Sequence, residues 1–199
     1  MGIGFKRVIA AALLVVAVPV AAQSYSDGYS FLKAVRERDG AKVTELVSEP
    51  GTTVINSKDR GSGEGALHIV TRARDFAWLN FIMGKGARLD IQNSQGATPL
   101  SIAAQIGWLE GAELLLRYRA SVDLANGRGE TPLILAVQRR DLAMARLLLS
   151  KRADPKKTDS AAGLSAIDYA VRDGARSAQI LKLLQAPPAA AKKVAGPKL

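Results

Sequence analysis

The segment GATPLSIAAQIG, beginning at Gly96, returns thirty-three residues later as GETPLILAVQRR, beginning at Gly129. Recurrence at a fixed interval of this size constrains the fold more than any other feature. It marks a unit of one supersecondary element, too small to bury its own apolar face and therefore obliged to stack on copies of itself. The register extends in both directions. Leu67, Leu100 and Leu133 are each 33 residues apart and Ile167 follows after 34; Val70, Ala103, Ala136 and Ala170 keep the same spacing, as do Gly63, Gly96, Gly129 and Gly163. A second apolar block repeats as LNFIM from Leu79, AELLL from Ala112 and AMARLLL from Ala143.

Within one unit the order of residues has a physical reading. Thr98 and Thr131 stand where a hydroxyl caps the free N–H groups of a new helix, and Pro99 and Pro132 fall in the first turn, where a missing N–H costs nothing. LSIAAQ then predicts a short helix in which Ala103 and Ala104 admit a close neighbour. A turn at Gly107 leads to a second helix over Leu109 to Tyr118, with Leu114 and Leu115 facing the first. SVDLANGRG has the Asn and Gly content of a turn or hairpin before the next Thr-Pro.

TPLSIAA…LLL and TPLILAV…LLL resemble the ankyrin repeat, whose signature runs T-P-L-H-x-A, then Gly, then paired leucines. The resemblance covers about Tyr25 to Gln185. GEGALHIVT keeps Leu67 and His68 but has Gly65 and Ala66 for Thr-Pro, and GLSAIDYAV keeps the cap as Ser165. It implies an all-α, ankyrin-repeat solenoid of about five helix-turn-helix units joined by turns or short hairpins. The units fall at about 25–59, 60–92, 93–125, 126–159 and 160–185 of a domain spanning 23–185. The first, with Phe31, Ala34, Val43, Leu46 and Val47 in compatible places, is expected as a polar N-terminal cap with a longer turn at Pro50 and Gly51. The last, with Arg176, Gln179 and Lys182 outward, is expected as the C-terminal cap. His68 is expected to lock neighbouring turns together. The glycine that ends the second helix in the family survives as Gly86 but is replaced by Arg119 and Arg152, and Arg74 and Arg140 replace the inter-helix glycine that Gly107 retains. A non-Gly residue in a left-handed conformation costs about 1–2 kcal/mol, so these turns are expected to be less stable or differently shaped. Trp78 takes an aliphatic position of a second helix and is expected in the core.

The ends read differently. Lys6 and Arg7 precede an apolar run from Val8, followed by Pro19 and small residues. That is the n-region, h-region and cleavage pattern of a secretory signal peptide over 1–22, with cleavage expected after Ala22. Val8 to Ala22 is short of the ~20 residues a spanning helix needs, and no cysteine follows to carry a lipid. The expected location is the bacterial periplasm; secretion, or anchoring by an uncleaved N-terminal segment, is the alternative. Loss of 1–22 lowers the formal charge from +10 to +8, since it removes two basic residues and no acid. Residues 186–199, APPAAAKKVAGPKL, are expected as a disordered basic tail.

Little in the chain is equipped for reaction chemistry. His68 is the only histidine and there is no cysteine, which removes multi-His and thiolate metal sites and most proton relays. GSGEG at 61–65 has the spacing of neither phosphate-binding loop and falls at the turn every unit has. GLSAI and PLSIA are not nucleophile elbows, and carboxylates are scattered singly. No catalytic residue, metal or cofactor is expected, and the chain is not expected to be an enzyme. Aromatic residues make up 5% with no interleaving among the basic ones, so no nucleic acid is expected.

The resemblance places partner contacts on the turn tips and inner short helices, which line a concave groove. Carried over residue by residue, the tips are Gln92, Ser94, Gln95 and Ala97, then Gly127, Arg128 and Glu130. Arg72, Gln105, Gln138 and Arg172 stand one per unit on the groove side. Trp108, in the first turn of a second helix, is expected either as a partly exposed anchor at the groove edge or as packed locally against Arg139 or Arg140 of the next unit; Arg139 is counted with the groove residues. The reading is a monomeric, non-catalytic module that binds another protein of acidic surface, with no membrane span after leader removal. The alternatives are an anion-binding envelope protein using distributed Lys and Arg and, third, a hydrolase with an unrecognised site.

Overall fold

The computed structural model describes residues 20–186, with side chains from Asp27 onward. The expected leader and tail therefore lie outside the described residues, except for Val20 to Ala22, which open the first helix, and Ala186. Ten α-helices follow in pairs: α1 (Val20–Glu37) and α2 (Gly40–Ser48), α3 (Ala66–Arg72) and α4 (Phe76–Gly84), α5 (Pro99–Ile106) and α6 (Leu109–Arg117), α7 (Pro132–Gln138) and α8 (Leu142–Ser150), α9 (Ala166–Asp173) and α10 (Ala178–Gln185). One-turn 3₁₀ helices lie at Val54–Asn56 and Gly174–Ser177. No strand forms among the described residues, and the one isolated bridge joins Thr158 to Ser165. The links between units are thus turns, not hairpins.

The helices form two layers. In the inner one, α1 packs on α3, α3 on α5, α5 on α7 and α7 on α9; α4, α6, α8 and α10 make the outer one. Leu67, Leu100 and Leu133 align in a buried spine, and Ala103, Ala104, Ala136 and Ala170 are buried where adjoining helices come closest. Ile167 is half-buried because α9 is the last inner helix of the described stack. Each fully buried leucine contributes about 1.5–3 kcal/mol. Leu79, Ile82, Leu115, Met144 and Leu148 complete the core from the outer layer. Trp78 departs from expectation: it is half-buried, its ring edge-on to Phe81 at 5.2 Å.

Caps account for the helix starts. Thr98 accepts from the Ser101 N–H while Ser101 Oγ accepts from the Thr98 N–H, and Ser165 and Asp168 repeat this box. Thr131 accepts from Ile134. Three of the second helices share a device that the residue pattern alone does not single out: Asp39, Asp75 and Asp141 cap α2, α4 and α8 through the amides of Lys42, Trp78 and Met144. Asp and Asn carry the loops as well. Asp59, Asn93, Asn126 and Asp159, one per unit, each turn a side-chain oxygen onto two or more amides of their own tip.

Backbone joins one tip to the next. The N–H of Ser94 donates to the carbonyl of Ser62 at 3.0 Å, Gly127 to Gln95 at 2.8 Å, and Ser160 to Arg128 at 2.8 Å. This approach requires glycine. Gly63, Gly96 and Gly129 hold φ of 68°, 70° and 76°, and a Cβ on each would meet the amide nitrogen of Ser94, Gly127 or Ser160 at 2.5 Å. Gly163 has φ 66° with nothing within 4 Å of a Cβ.

The arginine turns keep the left-handed shape the family's glycines would have, contrary to the alternative of a changed shape: φ is 51° at Arg74, 71° at Arg119, 60° at Arg140 and 67° at Arg152, and Arg38 joins them at 59°. Three of the five reach across to the following unit. Arg38 binds the Asp75 carboxylate, Arg74 binds the Ile106 carbonyl, and Arg140 forms a two-point pair with Asp173, both contacts at 2.7 Å. The strain of the turn is set against a strut between turns. Arg140, with Ser177 also donating, holds the Asp173 carboxyl far below the ordinary range.

His68 locks the stack as expected. Its Nδ1 accepts from the Gly65 N–H at 3.0 Å and its Nε2–H donates to the Ala97 carbonyl of the next unit at 2.9 Å. Both roles need the neutral ring, and burial pushes its pKa below the ordinary 6.5 even though the bond to Ala97 opposes the shift.

Two outcomes follow from this geometry. Gly163→Ala carries only left-handed strain, about 1–2 kcal/mol, whereas Gly96→Ala adds an overpacked backbone contact of about 1–3 kcal/mol; urea unfolding of the two variants shows the larger loss at Gly96. His68 is neutral when folded but takes a proton in the unfolded chain once pH drops below about 6.5, so its contribution is complete above that value and is lost as pH falls through it towards the folded pKa. Thermal midpoints measured between neutral and mildly acidic pH decline in the parent, and the decline flattens in His68→Gln; an unchanged slope would assign it to other groups.

Candidate partner-binding face

Four side chains expected on the inner face stand where the repeat places them. Arg72, Gln105, Gln138 and Arg172 are all exposed, each on the last turn of its inner helix or one residue from it. Their surroundings alternate. Arg72 Nε donates to Glu64 at 2.6 Å, and Gln138 Nε2 donates to Glu130 at 3.2 Å, each reaching the carboxylate eight residues back at the foot of its own tip. In the other two units that foot is Ala97 or Leu164. Gln105 therefore has no such acid, and the Arg172 guanidinium lies 4.6 Å from the centre of the Tyr169 ring. The Tyr169 hydroxyl donates to Asp159, which raises the tyrosine pKa and lowers the carboxylate's.

The expected tips divide. Ser94, Gln95, Gly127 and Arg128 are exposed. Ala97 is buried, since its carbonyl receives His68. Gln92 is half-buried and donates to the carbonyls of Gly96 and Ala125, which spends its amide on the stack. Glu130 is also a correction: it is 6% exposed, with Oε2 accepting from Asn126 at 2.8 Å and from Arg128 Nε and Nη2 at 3.0 and 2.8 Å. Burial opposes its ionisation, but the bonds from Asn126, Arg128 and Gln138 outweigh it and hold the carboxyl below the ordinary range. It fixes Arg128 and Gln138 and presents nothing outward.

Of the two readings of Trp108, the exposed anchor is the one the structure corrects. It is 5% exposed and is the N-cap residue of α6, where α2, α4 and α8 have Asp. Its ring lies against Gly111; a Cβ there would fall 2.1 Å from a ring carbon. The indole thus fills the space a side chain at 111 would take, and it is no surface anchor. Arg139 is exposed but leans back over the preceding unit's turn, where a Cβ on Gly107 would be 3.0 Å from its Nη2.

The face is open. Two hollows among the described residues lie at the ends of the stack, one of about 270 Å³ walled by Tyr29, Arg36 and Lys58 and one of about 430 Å³ beside Leu181 and Lys182. Neither is lined by Arg72, Gln105, Gln138 or Arg172. Among the described residues, no cluster of three or more His, Cys, Asp or Glu is placed to hold a metal, and no helix is long and apolar enough to cross a membrane.

The family model for ankyrin repeats (3 copies) matches residues 31–159 and again 114–193. Those matches span the helix pairs, the left-handed tip glycines and the His68 bridge just described, and ankyrin repeats are generally protein-interaction modules. The chain belongs to the ankyrin-repeat family.

Proposed function

We propose that the protein is an exported, non-catalytic adaptor that acts in the periplasm as a monomer and binds an acidic protein surface through its inner face. The observation that carries this reading is the aligned row of Arg72, Gln105, Gln138 and Arg172, exposed on a backbone that the tip bonds hold rigid. A rigid row loses little conformational freedom when a partner docks. Polarity within the row has a direction. Arg72 is neutralised by Glu64, whereas Arg172 has only an aromatic ring beneath it and Gln105 keeps its amide for a partner. Gln105 on α5 and Arg172 on α9 are separated by α7, so they offer a partner two separate positions, an amide at one and a planar guanidinium suited to a carboxylate at the other.

The test is photocrosslinking in living cells from a probe at Gln105. The parent captures one discrete protein, and the combined variant Arg72→Ala, Gln105→Ala, Gln138→Ala, Arg172→Ala, probed instead from Ser94, loses that product at an unchanged thermal midpoint. Retention of the product would move the contact elsewhere. Salt separates this reading from diffuse anion binding, because recognition by fixed hydrogen bonds survives moderate ionic strength while counterion-driven attachment falls steeply. Export is checked by mass: the chain recovered from the envelope begins at Gln23, and a chain still carrying Met1 would return the protein to the cell interior or to an N-terminal anchor.

A further inference from the structure

Five arginines among the described residues hold left-handed backbone, and two of them have no side-chain partner among those residues. Arg38, Arg74 and Arg140 are struts to the next unit's turn. Arg119 and Arg152 make no side-chain hydrogen bond or ion pair with any described residue, yet φ is 71° and 67°. Gly86, at the equivalent place one unit earlier, shows that the turn is built without a side chain. Both arginines follow the C-termini of adjoining outer helices, α6 and α8, which pack on each other. Arg117, Tyr118 and Lys151 are exposed beside them, the tyrosine at 48%.

Acids flank this ridge, and three of them are held by hydrogen bonds. Asp90 accepts from the amide of Ser121, Asp123 from the amide of Asp154 and from Lys157, and Asp154 from the amide of Lys156. Glu113, one turn before Arg117, is the nearest carboxylate on α6, and α8 has none. Beside these acids, Arg117, Arg119, Lys151 and Arg152 are exposed cations at the ends of two adjoining outer helices, with exposed Tyr118 between the first two in the chain.

We propose that this ridge docks the protein on an anionic lipid surface, independently of the inner face. Exposed cations without shaped surroundings match many phosphates spread over a plane better than one folded acidic partner. An exposed tyrosine among them is the amphipathic side chain that settles at headgroup depth. Arginine at a left-handed position costs stability that glycine would not, so the charge itself is what the position supplies.

Cosedimentation of the full chain with phosphatidylglycerol vesicles at low salt tests this. Each arginine near an anionic surface contributes about fivefold in affinity, so Arg119→Gly with Arg152→Gly binds about thirtyfold more weakly than the parent while its thermal midpoint rises. Arg119→Gln with Arg152→Gln, which keeps the strain, loses the same affinity without the rise. Lys33→Gln with Lys42→Gln removes equal charge from α1 and α2 and stays within about twofold of the parent. Lys192, Lys193 and Lys198 are common to all the variants, so they do not separate them. Equal loss in the lysine variant, equal binding to phosphatidylcholine vesicles, or ridge-dependent capture of polyglutamate without any binding to vesicles would each overturn the proposal.

Discussion

The stack depends on one contact, the approach of a tip's backbone to the backbone of the tip before it. An amide nitrogen sits 2.5 Å from where the Cβ of Gly63, Gly96 or Gly129 would be, so the units meet main chain to main chain. Everything else is spaced by that meeting. The bonds from Ser94, Gly127 and Ser160 set the unit-to-unit interval, His68 spans it beneath, and the Leu67, Leu100 and Leu133 spine fills it. Because each unit touches only its neighbours, stability is close to a sum of unit and interface contributions. A change at one tip weakens a named interface and not the whole chain.

At the opposite end of each inner helix the joining is done by charge. Arg38, Arg74 and Arg140 accept the left-handed conformation and use their length to reach an acceptor on the next unit. Gly107 breaks this series, and there Arg139 of the following unit leans back over the bare glycine instead. Exposed ion pairs are worth little alone, typically 0–1 kcal/mol. Their value here is alignment, since a two-point arginine pair between turns resists sliding that the smooth apolar spine would allow.

How far this was legible from the residues depends on whether a role repeats. The period, the Thr and Ser caps, the spine and the His68 bridge could be read because each is a local rule met several times at one interval. Asp39, Asp75 and Asp141 repeat too, in RDG, ARD and RRD, yet the eye passes over them because aspartate before a helix is also ordinary surface charge. Trp108 was misplaced for the opposite reason. It occurs once, and its burial is decided by Gly111 three residues on, a helical glycine whose missing side chain makes the room. Glu130 looked like a tip residue from its position; only three donors converging from Asn126, Arg128 and Gln138 make it an interior group. The separation between strut and free arginine was equally hidden, since it turns on whether an acceptor lies within reach across a unit boundary.

Function in such a fold lies in what stacking does not use. In each unit the tip Asx residue, the glycine after it, the cap, the spine leucine and the inter-helix turn all have structural duties, and the one histidine is consumed as a bridge. Among the side chains that stacking leaves unused are Gln105 and Arg172 on one face, and Arg119 and Arg152 on the outer ends. All four present planar groups able to make two hydrogen bonds at once. The two sets lie on different layers, inner and outer, of one rigid stack. The two contacts proposed above would therefore fall on opposite sides of the buried spine, and occupying one leaves the packing beneath the other unchanged.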